Sequence, residues 1–292
     1  MSVGTIFDIK ELGLYDGDGI RLTVFLKGCP LSCVWCQNPE GQKMPPEIFR
    51  HESRCTACGR CKQACHHPDC APYGVCLHAC PQNLIGLYGK VYTAHELAEE
   101  INSYGDFLVY GGVTFSGGEP ALQSAFLKEV AEKVPYPKAM ETCGAVPTEQ
   151  FLPLALMMDD LFVDLKILDE GDHIRYTGLS NRLILDNIRA LDAAGKPFVI
   201  RVPLIPGITD SDENQDAIAE FLSPFTALKR VELLSYNPFT PQKYALIGRA
   251  YDAPVEDRPP NIRADLFTAR GIDCTALRLR GANAMHSAPK PH

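Results

Sequence analysis

The 292-residue chain has one tryptophan and no long apolar run. Its longest such stretch, Phe151 to Met158, is eight residues and contains Pro153. A membrane-spanning helix needs roughly 20 apolar residues, so no membrane is expected. Asp8, Lys10 and Glu11 interrupt the start, which speaks against a secretory leader. Basic residues are also short: 28 Lys and Arg against 36 Asp and Glu leave a net charge of −8. A nucleic-acid footprint would show clustered positive charge, so nucleic-acid partners are not expected. What the chain has in quantity is cysteine. There are twelve, and ten lie between Cys29 and Cys80. In a long chain without a leader, such clustering means metal ligation in a reducing compartment rather than disulfides. The location read from this is cytoplasmic.

The first cluster is Gly28-Cys29-Pro30-Leu31-Ser32-Cys33-Val34-Trp35-Cys36-Gln37-Asn38-Pro39-Glu40. Three thiolates hold three corners of a four-iron cluster and leave one iron open to a reactant, as an open position separates catalytic from structural zinc. A structural zinc or half of a ferredoxin site is the other use of such a triplet, but no fourth ligand stands at a matching spacing.

The Cys-x3-Cys-x2-Cys spacing, with Trp35 before the last cysteine and Asn38 after it, resembles the radical S-adenosylmethionine enzymes. Further stretches match in order: Asp16-Gly17-Asp18-Gly19-Ile20-Arg21, Thr114-Phe115-Ser116-Gly117-Gly118-Glu119-Pro120, Glu141-Thr142-Cys143-Gly144, Asp164-Leu165-Lys166, Arg201-Val202-Pro203 and Leu233-Leu234-Ser235-Tyr236-Asn237. Together, over roughly residues 1 to 280, they resemble the activating enzymes that install a glycyl radical in a large partner protein. The resemblance implies a catalytic [4Fe-4S] cluster on Cys29, Cys33 and Cys36. It implies reductive cleavage of S-adenosylmethionine to a 5′-deoxyadenosyl radical, which takes hydrogen from a glycine of the partner. A flavodoxin or ferredoxin-type reductant and a monomeric enzyme are expected with it.

Strand-like and helix-like runs alternate from Leu22 onward. Strands are expected at 22–26, 112–115, 138–141, 161–166, 198–203 and 231–234, with a last extended stretch at 274–280. Helices are expected at 121–134, 148–158, 181–194, 212–222 and 261–270. Repeated strand–helix units argue for an α/β fold with a parallel sheet. About six units fall short of a complete barrel, and the resemblance implies a partial (β/α)6 TIM-like barrel of the radical SAM type. Its chemistry belongs at the C-terminal ends of the strands. Residues 1–50 and 89–281 form this barrel in the sequence reading. Residues 51–88, dense in Cys, His and Pro, form an insert, and 282–292 a disordered tail.

Several residues carry specific expectations. Trp35, between two cluster ligands, is expected over the adenine, and by resemblance the Gln37 backbone lies in the same contact region. Gly117 and Gly118 follow a strand and, lacking Cβ, permit close backbone approach; Glu119 sets that loop, which by resemblance receives the methionine amino group. Glu141, Thr142 and Asp164 offer hard oxygens for a small cation, by resemblance a monovalent one beside the cofactor carboxylate. Lys166 pairs with the cofactor carboxylate or ribose, and Cys143 is a small buried thiol. Asp16, in the Asp16–Arg21 segment, belongs by resemblance to the cradle for the partner's glycine loop; Asp18 stands where the family usually has proline. Asn237 stands where many relatives have histidine; it hydrogen-bonds but does not titrate.

Within the insert, Cys55-x2-Cys58-x2-Cys61-x3-Cys65 is the bacterial ferredoxin run, whose fourth cysteine serves the other cluster. Its mate has Cys70, Cys76, Cys80 and Pro81 at the right offsets, but Tyr73 takes the second cysteine's place. One auxiliary cluster on Cys55, Cys58, Cys61 and Cys80 is therefore complete. Cys65, Cys70 and Cys76 are left for a second, which needs Asp69 or a nearby His, or for a structural metal. Electron relay to the catalytic cluster is the expected use, and partner docking the rival one. Two other functions compete with the activating enzyme: a radical enzyme acting on a small molecule, and an electron carrier without catalysis.

Overall fold

A computed structural model of the chain describes residues 2–13, 17, 19–63 and 77–277. The strands in chain order are β1 (Val3–Gly13), β2 (Ile20–Leu26), β3 (Glu47–Arg50), β4 (Ile85–Tyr88), β5 (Lys90–Thr93), β6 (Gly111–Gly117), β7 (Lys138–Thr142), β8 (Asp160–Asp164), β9 (Phe198–Leu204), β10 (Leu228–Ser235) and β11 (Cys274–Leu277). Nine of them form one open sheet in the order β11-β10-β9-β8-β7-β6-β2-β1-β5. From β2 to β11 all neighbours run parallel; β1 is antiparallel to both β2 and β5. The six units read from the sequence are present, with β11 as a seventh parallel strand.

The parallel strands alternate, and this alternation places the site. Leu22, Val24, Val113, Phe115, Met140, Leu161, Val163, Ile200, Val202, Val231 and Leu233 are buried in the main core. The helices behind them are α3 (Ser124–Lys133), α4 (Thr148–Ala155), α6 (Arg182–Ala193) and α7 (Asp212–Leu222), whose Phe126, Phe151, Ile188 and Ile218 reach the same core. A parallel sheet covered on both faces normally reads as continuous apolar runs. Here the opposite face carries Arg21, Thr23, Thr114, Ser116, Glu141, Asp164, Arg201 and Glu232 beside Phe25 and a small apolar cluster of Ala139, Phe162 and Val199. A polar face on a parallel sheet is where chemistry belongs.

The expected helix at 121–134 begins as a 3-10 turn over Pro120–Gln123, because Pro120 enters a first turn capped by Glu119, and α3 follows. The helix expected at 261–270 contracts to α9 (Ala264–Thr268). Elements not anticipated are β1, the β3–β4 pair, β5 with α1 (Ala94–Asn102), α2 (Gly105–Leu108), α5 (Glu170–Thr177) and α8 (Thr240–Leu246). β3 and β4 pair as a separate two-stranded sheet, so a stem from Glu47 to Tyr88 brackets the cysteine-rich insert. No helix among the described residues is long and apolar enough to cross a membrane.

Candidate active site

The cysteine loop leaves the end of β2 and closes on itself: Gly28 N–H donates to Gly41 O at 2.8 Å and Cys29 N–H to Gln42 O at 2.9 Å. One side is held by the C-terminus of α5, where Ser32 N–H donates to Thr177 O (2.7 Å) and Val34 N–H to Tyr176 O (3.0 Å). The last carbonyls of a helix lack intrahelical partners, so the loop satisfies them. Gly178 ends α5 at φ 81°, and a Cβ there would come within 2.3 Å of Ser32 Oγ. The other side is held by α8 and the chain after it. Lys243 Nζ donates to Asn38 Oδ1 (2.6 Å) and Glu40 Oε1 (2.8 Å), while Arg249 reaches Pro39 O, Gln42 and Glu47.

Within this loop Leu31, Cys33 and Trp35 point inward and Ser32 and Gln37 outward. Burial raises the Cys36 thiol to about 11, and burial with the neighbouring thiols raises Cys33 as well. Cys29 is lowered, first by a hydrogen bond with the Cys143 thiol, which is itself raised by that bond. Lys166 is buried beside all four sulfurs and acts on each as a positive charge. Burial opposes its charge most, but Asp164 Oδ2 at 2.7 Å together with the Cys33 and Cys143 thiols raises it overall and keeps the ammonium protonated. One buried and two half-buried thiols close enough to perturb one another, under a fixed cation, suit a metal cluster that binds thiolates and releases their protons. Among the described residues no three His, Cys, Asp or Glu side chains crowd tightly enough to ligate one ion.

Gly117 and Gly118 sit against the same loop. Gly117 has φ 121°, and a Cβ on it would meet Leu26 N and O at 2.3 Å. A Cβ on Gly118 would lie 2.2 Å from Gly28 O and 2.4 Å from Gly41 O. The close approach read from the sequence is therefore one between this chain's own backbones: Gly118 N–H bonds Leu26 O and Glu119 N–H bonds Gly28 O, both at 2.8 Å. Glu119 is fully buried. Its carboxylate accepts from Ala121 N–H (2.9 Å), Thr142 Oγ1 (2.6 Å) and Cys143 N–H (2.7 Å), which ties the loop after β6 to the loop after β7.

Across the polar face Arg201 joins Glu141 and Glu232 (Nε to Oε2, 2.8 Å), with its guanidinium 4.0 Å from the Phe162 ring centre. Glu141 also accepts from Ser116 Oγ at 2.6 Å. The oxygens of Glu141, Thr142 and Asp164 are thus engaged by Arg201 and Ser116, by Glu119 and by Lys166, and do not by themselves support a monovalent cation among them. Trp35 is 3% exposed and packs in the main core against Tyr176, with ring centres 6.4 Å apart. Asn237 makes an Asx turn to Phe239 N–H (3.0 Å) at the entry to α8. Asp16 and Asp18 lie outside the described residues, as do Cys65, Cys70 and Cys76. Arg21 is at the start of β2, at the opposite end of that strand from the cysteine loop. It is 1% exposed and bonded to Thr114 Oγ1, Gly111 O and Val113 O.

His173, on α5, was not singled out by any motif. It is fully buried, its Nδ1 lies 2.6 Å from Leu179 O, and burial lowers its pKa. The unfolded chain then binds the proton first, so stability is complete above pH 6.5 and falls as pH drops below it. The expected slope is up to about 1 kcal/mol per pH unit. Denaturation of His173→Asn between pH 7 and 5 should show that limb flattened relative to wild type.

In the insert, Cys55, Cys58, Cys61 and Cys80 line one pocket, with Arg50, Pro81 and Leu84. These are the four cysteines assigned to one auxiliary cluster from the spacing. Ala57 N–H points to Cys55 Sγ and Leu84 N–H to Cys80 Sγ, each at 3.4 Å. Backbone donors from Leu84, Gln82 and Asn83 lower the Cys80 thiol. Ala57 and Asn83 take positive φ, 54° and 50°.

A family profile described as "Radical SAM superfamily" matches residues 23–217, the span from β2 through the cysteine loop to α7. The chain belongs to the radical SAM superfamily. Within it, similar curated proteins include several activating enzymes. An indoleacetate decarboxylase activating enzyme from Tractidigestivibacter scatoligenes is 34% identical over 92% of this chain and 96% of its own. A 4-hydroxyphenylacetate decarboxylase activating enzyme from Clostridioides difficile (strain 630) is 36% identical over 93% and 95%. An isethionate sulfite-lyase activating enzyme from Desulfovibrio desulfuricans is 35% identical over 95% of both chains. Among solved structures, a radical SAM methyltransferase from Sphaerobacter thermophilus superposes over 94% of this chain and 78% of its own, with a TM-score of 0.54 at 17% identity. That likeness is one of fold. As a radical SAM chain, this protein has a [4Fe-4S] cluster and S-adenosylmethionine as its cofactors.

Proposed function

We propose that this chain activates a glycyl-radical enzyme, with Cys29, Cys33 and Cys36 as the only protein ligands of its catalytic cluster. The observation that carries the reading is the join between two loops: the three-thiol loop and the Gly117–Glu119 loop are bonded backbone to backbone at the C-terminal ends of β2 and β6. Relatives that match almost end to end are named as activating enzymes of different partners, which supports a protein substrate. Cys29, Cys33 and Cys36 would hold the cluster, which would supply the electron for cleavage of S-adenosylmethionine and, through it, removal of hydrogen from a glycine of the partner. The protein's part is placement. Lys166 holds positive charge beside the thiols, Gly117 and Gly118 let the two loops touch, and Glu119 locks them to β7. Gln37, exposed on the cysteine loop, and Asp164 with Lys166 are the groups left to meet the cofactor's polar ends. Trp35 anchors the loop from within the core.

Arg21 lies at the start of β2, about 17 Å from its end by strand rise. The partner's glycine segment would run along the polar face from Arg21 toward Lys166. Reduced protein incubated with S-adenosylmethionine and a candidate partner should give a glycyl EPR doublet. Cleavage that never yields the doublet, but turns over a small molecule, would replace this reading. The insert is proposed to hold one auxiliary [4Fe-4S] cluster on Cys55, Cys58, Cys61 and Cys80, fed by a flavodoxin or ferredoxin-type reductant. Anaerobic protein should then carry about eight irons, and Cys58→Ala about four.

A further inference from the structure

We propose that the rim of the insert pocket is the docking site for a small acidic protein that carries a one-electron cofactor. The proposal rests on the auxiliary-cluster reading above. Arg54 stands one residue before Cys55, and Arg60 and Lys62 flank Cys61; all three are exposed, and Arg50 lines the pocket itself. None of the four forms an ion pair among the described residues, whereas Arg182, Arg189, Arg201, Arg230, Arg249, Arg258, Arg263 and Arg270 all do. From Arg50 to Tyr88 the sequence has four cations against two carboxylates, Glu52 and Asp69, in a chain with 28 cations against 36 carboxylates. Cys55 and Cys58 are exposed. Positive charge with no ion pair among the described residues, set around accessible thiols on an otherwise acidic protein, is complementary to an acidic partner that must come close to the pocket.

The stem fixes what lies behind the rim. His51, Phe49, Tyr88, Phe7 and Phe25 pack ring against ring with centres 4.6 to 6.3 Å apart, from beside the pocket to β2. Glu47 of β3 accepts from Lys27 and Arg249, the residues that also grip the carbonyls of Glu40 and Pro39. The rim is therefore held in a set position relative to the cysteine loop. In the transfer the donor cofactor is oxidised by one electron and the insert's cluster reduced by one, and no bond in this chain forms or breaks.

The triple variant R54E/R60E/K62E leaves every thiol and the stem in place. Holoprotein binding to a purified acidic flavodoxin and a purified acidic ferredoxin should weaken with rising salt. In the variant, affinity for whichever binds should fall at least about tenfold. Electron transfer from that donor, followed by stopped-flow absorbance, should slow in parallel, while cleavage of S-adenosylmethionine with dithionite stays unchanged. Unchanged donor affinity in the variant, or binding of neither carrier, overturns the proposal. So does a variant that keeps its donor but loses capture of the purified glycyl-radical partner, since the rim would then serve that protein instead. Iron content reads the underlying premise separately: wild type with about four irons refutes the auxiliary cluster whatever the donor does.

Discussion

Cys33→Ala should lower the rate of 5′-deoxyadenosine formation by at least about a thousandfold, a loss of roughly 4 kcal/mol or more in transition-state stabilisation. The size follows from where the residue sits. Cys33 is 7% exposed between Leu31 and Trp35, both in the core, and its neighbours Ser32 and Val34 are bonded to the end of α5. No water or mobile side chain can take the thiolate's place without opening that packing. The truncation removes one sulfur in a site whose backbone is fixed from both sides, so circular dichroism and melting should change little. A variant that still cleaves S-adenosylmethionine within tenfold of wild type would show that the catalytic iron is held elsewhere.

Gly118→Ala should cost about 3 kcal/mol and deplete the catalytic iron. The added methyl meets backbone oxygens of Gly28 and Gly41 at 2.2 and 2.4 Å, and neither is the end of a flexible side chain. Relief requires the loop after β6 to withdraw from the cysteine loop. That breaks the Glu119 N–H bond to Gly28 O and drags Glu119 away from Thr142 and Cys143. At about 1 kcal/mol per 2–4 °C in a domain of this size, the melting temperature should fall by roughly 6–12 °C. Gly144→Ala is the control: its nearest atom is 3.8 Å from an added Cβ, so only the positive φ is at issue. A Gly118→Ala protein with wild-type melting and full iron would mean that the two loops separate freely in solution.

The parallel strands were legible because alternation along them is clean: Val113 and Phe115 go to the core, Thr114 and Ser116 to the polar face. The cysteine loop, the double glycine and Asp164 with Lys166 do lie at strand ends, whereas Arg201 sits within β9 and Arg21 at the start of β2; the ferredoxin spacing picked out the four cysteines that line one pocket. What stayed hidden lacks a periodic signal. Helix α5 buries only His173 and Thr177, so no apolar stripe marks it, yet its last carbonyls hold the cysteine loop. Strand β1 carries Asp8, Lys10 and Glu11 beside Ile6 and Ile9 and shows itself only through its partners β2 and β5. A lone Trp between cluster ligands suggested a cofactor platform, but in-and-out alternation through Leu31, Cys33 and Trp35 turns the ring into the core. The glycine pair looked ligand-facing because a missing Cβ does not say which backbone comes close. Glu232 drew no attention as a single carboxylate in a strand, although an acid on a parallel strand is the signal for a partner such as Arg201.

The structure also brings a fourth thiol, Cys143, against Cys29, so the open coordination position needs a direct test. The deciding measurement is EPR of the anaerobically reduced protein, wild type and Cys143→Ala, titrated with S-adenosylmethionine. A cluster signal that shifts on addition in both proteins, followed by 5′-deoxyadenosine, is the expected result. A signal indifferent to the sulfonium in wild type but responsive in Cys143→Ala would mean that a fourth sulfur closes the cube, and the account fails.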